Sequence, residues 1–392
     1  MTEKSDISPL RRSIANGIRL LTSRRIFLLA MLLLPVVSCL FFISLLNEGL
    51  PVRVPTAVVD NDHSELSREM VCNLGASQLV NVTVKAESYG HAMNLVRNGE
   101  VFGFYVIPAN FQKDAIAGRK PVVTYYPNMS YFVPGTFSYK GYKSIAVSSA
   151  ASMISGTATS MGLRPGAVSA LVQPVNFDVH PVHNPSPNYS VYLTPSFLFG
   201  VIELMIFMVT VFTLTGYVKR GTARRWLADA GGNIVTAVFG TLLPQTVIWV
   251  VVTWFSQAMM YSVGGFVLYC PLWQILLSSL LFVLACQAFG ITVAALLPNP
   301  RFSLSICALT GILAFSLAGF SFPVEDMYGA VGIFSYILPV RYMFLIHANT
   351  ALNGFAMYFV RGSLLALLLF PAIATLSLPL LRRNLTRAAY VP

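Results

Sequence analysis

The chain is poor in charged residues, and a long stretch in its second half has none. Only 10% of its 392 residues are charged, whereas soluble domains carry about 25%. Between Asp229 and Arg301 there is neither a charged residue nor a histidine. Such a composition excludes an ordinary soluble enzyme and indicates a protein that lies largely in a membrane.

The chain also lacks the short motifs that mark common catalytic sites. It has no G-x-x-x-x-G-K-[ST] loop for nucleotide phosphates, no H-E-x-x-H and no G-x-S-x-G. His180 and His183 flank Pro181 in an extended stretch and are interpreted as solvent-exposed polar residues. Cys72 and Cys270 are the cysteines expected outside the membrane, and whether they pair is left open. We therefore expect no catalytic residue, metal or cofactor in this chain.

Apolar sequence is abundant: 55% of the residues are hydrophobic. Ile26–Leu46 is an unbroken apolar run, long enough to cross a bilayer and too long for the core of a signal peptide. It is therefore expected to be retained as the first span. Six spans are predicted, at residues 26–46, 196–218, 233–260, 271–297, 303–322 and 361–381.

The positive charges are concentrated on one side of the predicted membrane. The segments 1–25, 219–232, 298–302 and 382–392 hold 14 Lys and Arg against three acidic residues. The other side holds 12 basic and 11 acidic residues. Because cytoplasmic loops carry an excess of Lys and Arg, both termini are expected in the cytoplasm. Membrane orientation thus accounts for the net charge of +11, and nucleic acid is not expected as a partner.

Residues 47–195 are predicted to form a mixed α/β extracytoplasmic domain. The fold class is thus an α-helical integral membrane protein with six transmembrane helices and this additional domain. Strands are predicted at Val52–Asp60, Asn81–Ala86, Val101–Ile107, Pro121–Tyr126 and Val175–Val182. Helices are predicted at Glu65–Asn73, Tyr89–Arg97, Asn110–Ala117, near 130–160, and at Pro165–Leu171.

Three further segments complete the predicted organisation. Residues 1–25 contain a helix with Leu10, Ile14, Ile18 and Leu21 on one face, which fits either an amphipathic surface helix or an ordinary basic flank. Residues 219–232 form a short basic element between spans two and three, and 382–392 form a cytoplasmic tail. Residues 323–359 are apolar but broken by Pro339 and Arg341, which predicts two short helices in a re-entrant segment at the outer surface.

One ionisable residue, Glu203, lies deep within a predicted span. Ser196, Glu203, Thr210 and Tyr217 recur every seven residues and therefore share one helix face. Such a polar stripe is typical of a substrate path or a wet subunit interface. The alternative is a protonated Glu203 that is satisfied by a neighbouring span, for instance by Gln245 or Gln287.

The order of several short segments resembles that of a known family. They are Val54–Ser64 (VPTAVVDNDHS), Glu100–Ile107 (EVFGFYVI), Tyr192–Pro195 (YLTP), Gly221–Thr222, Ser321–Pro323 (SFP) and Leu338–Pro339. Together with the span layout they resemble the ABC type-2 exporter permeases that carry a large exterior domain between the first two spans. The resemblance covers nearly the whole chain.

The resemblance implies a non-catalytic permease subunit in a bacterial inner membrane. A second permease copy or a paralogue would complete a dimer, ABC ATPase subunits carrying ATP and Mg²⁺ would dock from the cytoplasm, and a periplasmic adaptor is a further candidate partner. Docking would press on the 8–22 helix and on 221–229. The candidate coupling residues are Arg224, Arg225, Trp226, Thr222, Arg11 and Arg12. The alternative for Arg224, Arg225 and Trp226 is an anchor at the membrane surface.

The expected function is outward movement of a small amphipathic or lipid-like substrate, with ATP hydrolysed by the partner. Two other functions stay open from the residues alone. One is an ion-coupled secondary transporter with Glu203 as the relay, although the paired broken helices of such carriers are not evident. The other is a membrane sensor or scaffold whose exterior domain binds a ligand.

Overall fold

The computed structural model describes residues 8–47, 49, 52–119, 121–160 and 188–387. The chain divides into two compact units, Leu50–His180 and a second unit made of Met1–Gly49 with Pro181–Pro392. The predicted helix Pro165–Leu171, the predicted strand Val175–Val182 and the histidines at 180 and 183 lie outside the described residues, as does the tail beyond Arg387.

Two helices come before the smaller unit. Helix α1 (Pro9–Thr22) begins at Ser8, whose side chain accepts a hydrogen bond from the Arg11 N–H. Helix α2 (Arg25–Leu45) is the first helix long and apolar enough to cross a membrane. It contains one widened π turn, Leu29–Leu33, just before Pro35.

The smaller unit is built on a four-stranded mixed sheet in the order β2-β1-β3-β4. Strand β1 runs parallel to β2 and β3, and β4 runs antiparallel to β3. The elements in chain order are β1 (Val54–Asp60), α3 (Glu65–Gly75), β2 (Val80–Lys85), α4 (Tyr89–Arg97), β3 (Gly103–Ile107), α5 (Phe111–Ile116), β4 (Thr124–Pro127) and α6 (Phe132–Ser160).

Both faces of this sheet are covered, as the alternation along β1 shows. Ala57 and Val59 pack in a cluster with residues of α4, while Val58 packs on the opposite face with residues of α3. The four predicted strands that fall on described residues are confirmed, and so is the mixed α/β class.

Two carboxylates hold the turn after β1 in place. Asp60 accepts hydrogen bonds from the backbone N–H groups of Asp62 and His63 at 3.0 and 3.1 Å and from the Ser67 hydroxyl at 2.8 Å. Asp62 accepts from the Gln112 N–H at 3.0 Å, at the start of α5. Hydrogen bonds from the Ser64 side chain and the Gln112 backbone lower the pKa of the Asp62 carboxyl. The Asp-x-Asp-x-Ser sequence thus joins the ends of two parallel strands.

Replacing Asp60 by alanine is expected to destabilise this unit by about 2–3 kcal/mol, because three donors lose a charged acceptor. Hydrogen exchange of residues 61–75 in the full-length protein measures the loss. Asp114→Ala is the control, since Asp114 pairs with Arg119 at 3.4 Å on the surface, where such a pair contributes about 0–1 kcal/mol. Equal exchange in the two variants would contradict a structural role for Asp60.

The larger unit continues with eight helices. They are α7 (Tyr189–Lys219), α8 (Ala223–Asp229), α9 (Ile234–Ser262), α10 (Leu272–Leu296), α11 (Pro300–Leu317), α12 (Gly329–Ser335), α13 (Pro339–His347) and α14 (Met357–Arg387). Five of these helices (α7, α9, α10, α11 and α14) are long and apolar enough to span a membrane, and α2 is the sixth. The predicted set of six spans is confirmed.

The spans differ in how deeply they lie within the protein. In α7, 67% of the most apolar window is buried, against 28% in α2 and α11 and 22% in α14. Helix α7 is therefore central. Helices α2, α11 and α14 present apolar side chains outward, among them Leu40, Leu309 and Leu376. Helices α7, α9 and α11 each begin at an asparagine whose side chain accepts a backbone N–H.

The segment between α11 and α14 is folded as two short helices, as predicted. Helices α12 and α13 meet at an angle of 78°, with the break immediately before Pro339. The geometry is that of a broken span or a re-entrant loop. Proline lacks the N–H that would continue α12, which explains where the break falls.

Candidate functional site

Helix α8 is a short element between two glycine turns. Gly221, with φ of +64°, follows the end of α7, and Gly231 and Gly232, with φ of +70° and +78°, follow α8. These left-handed conformations are strained for residues with a side chain, so the turns favour glycine. Both ends of α8 are therefore sharply defined by the sequence.

Trp226 fixes α8 against the bundle. Its side chain is only 4% exposed, its ring stacks on Tyr217 of α7 at 4.8 Å, and its indole N–H donates to the Thr241 hydroxyl of α9 at 2.9 Å. In this structure Trp226 therefore packs into the bundle, and its role as a docking contact or as an anchor at the membrane surface stays a prediction. A single tryptophan at a span end does not reveal which way its ring points.

The arginines of α8 lie on the opposite face. Arg224 and Arg225 are exposed, and Thr222 is half-buried at the N-terminus of the helix. The burial of Trp226 and Leu227 leaves these arginines directed away from the bundle. Of the predicted docking residues on this segment, the structure thus presents the two arginines at the surface.

Helix α1 packs against α9 through small residues. A Cβ atom placed on Gly17 would lie 2.7 Å from the Thr241 carbonyl oxygen, and one on Gly240 would overlap the Ser13 Cβ. Such an approach is open only to small side chains. The buried face of α1 is Ser13, Gly17 and Leu21.

The helix predicted within residues 1–25 is confirmed as α1, but only part of its apolar face is buried. Leu10 and Ile18 remain 40% and 50% exposed, whereas Leu21 is buried. Arg11 and Arg12 are exposed as well. The Asn16 side-chain amide donates to the Asp229 carboxylate at 3.2 Å, which joins α1 to the end of α8. Helices α1, α8 and α9 therefore meet at one end of the bundle.

The seven-residue stripe on α7 is a packing face. Ser196, Glu203, Thr210 and Tyr217 are all buried. The Ser196 hydroxyl donates to the Tyr192 carbonyl, and Thr210 lies against Gly290 of α10. The side chains share a face, as predicted, and in this structure that face meets neighbouring helices. Their role in a substrate path stays a prediction.

Glu203 is fully buried near the midpoint of α7, and its partners differ from those expected. Its Oε2 accepts a hydrogen bond from the Val340 N–H of α13 at 2.6 Å, and the Cys286 Sγ of α10 lies 3.9 Å away. Gln245 instead donates to Thr213, and Gln287 accepts from Thr246. The two glutamines named as examples thus have other partners, and the neighbouring elements that contact Glu203 are α13 and α10.

A comparison with known families identifies the chain. The model of the ABC-2 family transporter proteins matches residues 25–378, from the start of α2 to near the end of α14. The chain belongs to the ABC-2 transporter family. It matches no curated protein. The resemblance seen in the sequence is thus confirmed, and the protein is an ABC-2 permease, a membrane component without catalytic activity of its own.

The remaining predicted sites of the ABC-2 permease can now be placed. Cys72 is exposed, Cys270 is half-buried, and both are free. Within the described ranges, no three His, Cys, Asp or Glu side chains come together as a metal site.

Sequence reasoning did not predict the contacts by which two residues of the ABC-2 permease organise the α12–α13 pair. One is Val340, whose N–H meets Glu203; the signal was a helix start at Leu338–Pro339 without a capping side chain. The other is Arg341, which is 8% exposed, pairs with Glu325 at 3.9 Å and lies over the Tyr336 ring at 5.0 Å. An arginine inside an apolar segment was its signal.

Proposed function

We propose that this ABC-2 permease is the membrane subunit of an exporter in a bacterial inner membrane. It moves a small amphipathic or lipid-like substrate outward, driven by ATP and Mg²⁺ on a separate ATPase subunit. The observation that carries the proposal is the construction of α8. A buried Trp226 fixes the helix, and exposed Arg224 and Arg225 face away from the bundle.

The neighbouring helix adds to this surface. The Asn16–Asp229 hydrogen bond brings α1 beside α8, so that the exposed Arg11 and Arg12 belong to the same end of the molecule. The excess of Lys and Arg on these segments supports a cytoplasmic position for this end. Clustered arginines recognise carboxylates in a bidentate manner, so the docking face of the ATPase is expected to be acidic.

The outer spans have apolar outward faces, which are available to lipid and to a second permease subunit. Helices α2, α11 and α14 bury less than a third of their apolar windows, and their outward side chains are apolar. These faces suit membrane lipid together with a second permease copy or a paralogue. The unit between α2 and α7 is the part that a periplasmic adaptor would contact.

Reversing two charges on α8 tests the proposal. Arg224→Glu with Arg225→Glu is expected to reduce ATPase association at least about tenfold, because two attractive contacts become repulsive. The measurement is affinity purification of the full chain from membranes, followed by quantification of the bound ATPase and of phosphate release from ATP.

Arg382→Glu with Arg383→Glu is the matched control, because these arginines are also exposed and belong to the same basic end. It changes the net charge equally and is expected to leave ATPase association unchanged. Undiminished ATPase with the α8 variant would reject α8 as the docking site. Nucleotide turnover by the purified chain alone would reject the permease proposal itself.

A further inference from the structure

The start of helix α13 lies inside the protein without a capping side chain of its own. Leu338 occupies the N-cap position and makes no side-chain hydrogen bond, and Pro339 has no N–H to donate. Leu338 is 2% exposed and Val340 is fully buried. The first N–H groups of a helix have no partner within the helix, and a buried helix start cannot take one from water. Helix α13 therefore needs an acceptor from another part of the chain.

Glu203 provides that acceptor from α7. Its carboxylate oxygen lies 2.6 Å from the Val340 nitrogen, although the two residues are 137 positions apart in the sequence. An acid in the middle of a span and a helix start without a cap are both unfavourable alone. The hydrogen bond between them satisfies the Val340 N–H and the Glu203 Oε2, while the Glu203 Oε1 is buried without a hydrogen-bond partner among the described residues.

The starts of three other spans differ from that of α13. Helices α7, α9 and α11 are capped by their own residues Asn188, Asn233 and Asn299. Loss of Glu203 should therefore loosen α13 and leave the start of its own helix, α7, in place. The effect of a substitution would appear far from it in sequence.

The pair α12–α13 is itself held together at the break. Arg341 of α13 lies over the Tyr336 ring and pairs with Glu325, which precedes α12. Gly319, with φ of +93°, comes so close that a Cβ there would lie 3.0 Å from Arg341 Nη1. A force applied at the start of α13 is thus passed to the residues around α12.

We propose that Glu203 is a positioning residue: it caps α13 from α7 and makes the α12–α13 pair move with α7. Helix α7 also carries Tyr217, which stacks on Trp226 of α8 about 21 Å along the axis from Glu203. A displacement of α8 is thereby transmitted through α7 to α13. The hydrogen bond that caps α13 lies entirely within this chain, whereas its consequence for export rests on the proposed function.

A cap and a substrate or proton site respond differently to the same substitutions. The amide oxygen of Glu203→Gln can still accept the Val340 N–H, so a cap survives without the charge. Glu203→Leu keeps the volume and removes the acceptor. A relay or an ionic substrate contact would be lost in both variants.

Hydrogen exchange of the full-length protein in lipid nanodiscs reads the cap directly. In Glu203→Leu, the amides at the start of α13 are expected to exchange roughly 10-fold to 100-fold faster, as for a lost charge-assisted hydrogen bond. Glu203→Gln should stay within a few-fold of the unmodified protein. Thr215→Val is the control, because Thr215 is buried on the same helix and bonds only to the Val211 carbonyl of α7.

A local cap should replace the distant one. Leu338→Asn places a favoured N-cap side chain at the start of α13 and is expected to restore protection in the Glu203→Leu background. If Glu203→Leu does not accumulate, the amount of folded protein becomes the readout, and recovery is expected in the double variant and in Glu203→Gln. Unchanged exchange in Glu203→Leu, fast exchange in Glu203→Gln, or no recovery in the double variant would each overturn the cap.

Phosphate release by the complex with its ATPase tests the transmission. Glu203→Gln is expected to keep the rate of ATP hydrolysis, and Glu203→Leu to lower it several-fold. Fast α13 exchange with unchanged hydrolysis would overturn the coupled movement. The exchange result holds even if no ATPase is bound, so failure of the cap is distinguishable from failure of the proposed function.

Discussion

Trp226→Ala is expected to release α8 and to abolish ATPase association while Arg224 and Arg225 remain in the chain. The substitution removes a buried ring that stacks on Tyr217 and an indole that donates to Thr241. Truncation of a buried tryptophan costs about 3–5 kcal/mol. A helix of seven residues is not stable without such packing. The measurements are hydrogen exchange of residues 223–229 and the quantity of co-purified ATPase.

Trp226→Phe separates packing from hydrogen bonding. The phenyl ring keeps a stack on Tyr217 and loses only the bond to the Thr241 hydroxyl, a loss of about 1 kcal/mol. This variant is expected to retain α8 and most of the bound ATPase. If residues 223–229 exchange as slowly in the Trp226→Ala variant as in the unmodified protein, then Trp226 is not what fixes α8.

Gly240→Leu is expected to displace α1 from the bundle. Its Cβ atom would overlap the Ser13 Cβ and crowd the Ile14 backbone nitrogen at 3.2 Å, and backbone cannot move aside as a flexible side chain can. Overpacking costs about 1–3 kcal/mol, and the displaced helix also loses the Asn16–Asp229 hydrogen bond. Trypsin should then cleave faster at the arginines of α1 in the folded, membrane-bound protein.

Gly362→Leu is the control for this prediction. Gly362 lies in α14, where a Cβ atom would meet no other heavy atom within 4 Å. Its trypsin pattern in α1 and its thermal unfolding in detergent should match those of the unmodified chain. Cleavage of α1 at equal rates in Gly240→Leu and Gly362→Leu would show that the close crossing does not hold α1.

The spans and strands were predictable because their signals are local. An apolar run such as 26–46 has the length that a bilayer requires, and α2 lies there. The mostly apolar run of 54–60 matches a strand buried on both faces. Sequence patterns of this kind predict structure well because each helix or strand they specify depends on residues that are close together in the sequence.

The internal contacts of the candidate site were harder to predict. The bond from Val340 to Glu203 joins residues 137 positions apart, so no local pattern reveals it. The four-residue spacing of Ser13 and Gly17 did carry a signal for close packing. The prediction for α1 relied instead on its apolar side chains, two of which, Leu10 and Ile18, stay exposed.

The glycine turns that flank α8 have a consequence for how a transporter of this kind can diversify. Gly221, Gly231 and Gly232 set the ends of the helix, and Trp226 alone supplies its aromatic anchor. The outward positions 224 and 225 contribute nothing to that anchorage. With the proposed docking at α8, mutations there would retune the choice of motor protein without disturbing the membrane bundle, so that partner specificity could evolve independently of the path taken by the cargo.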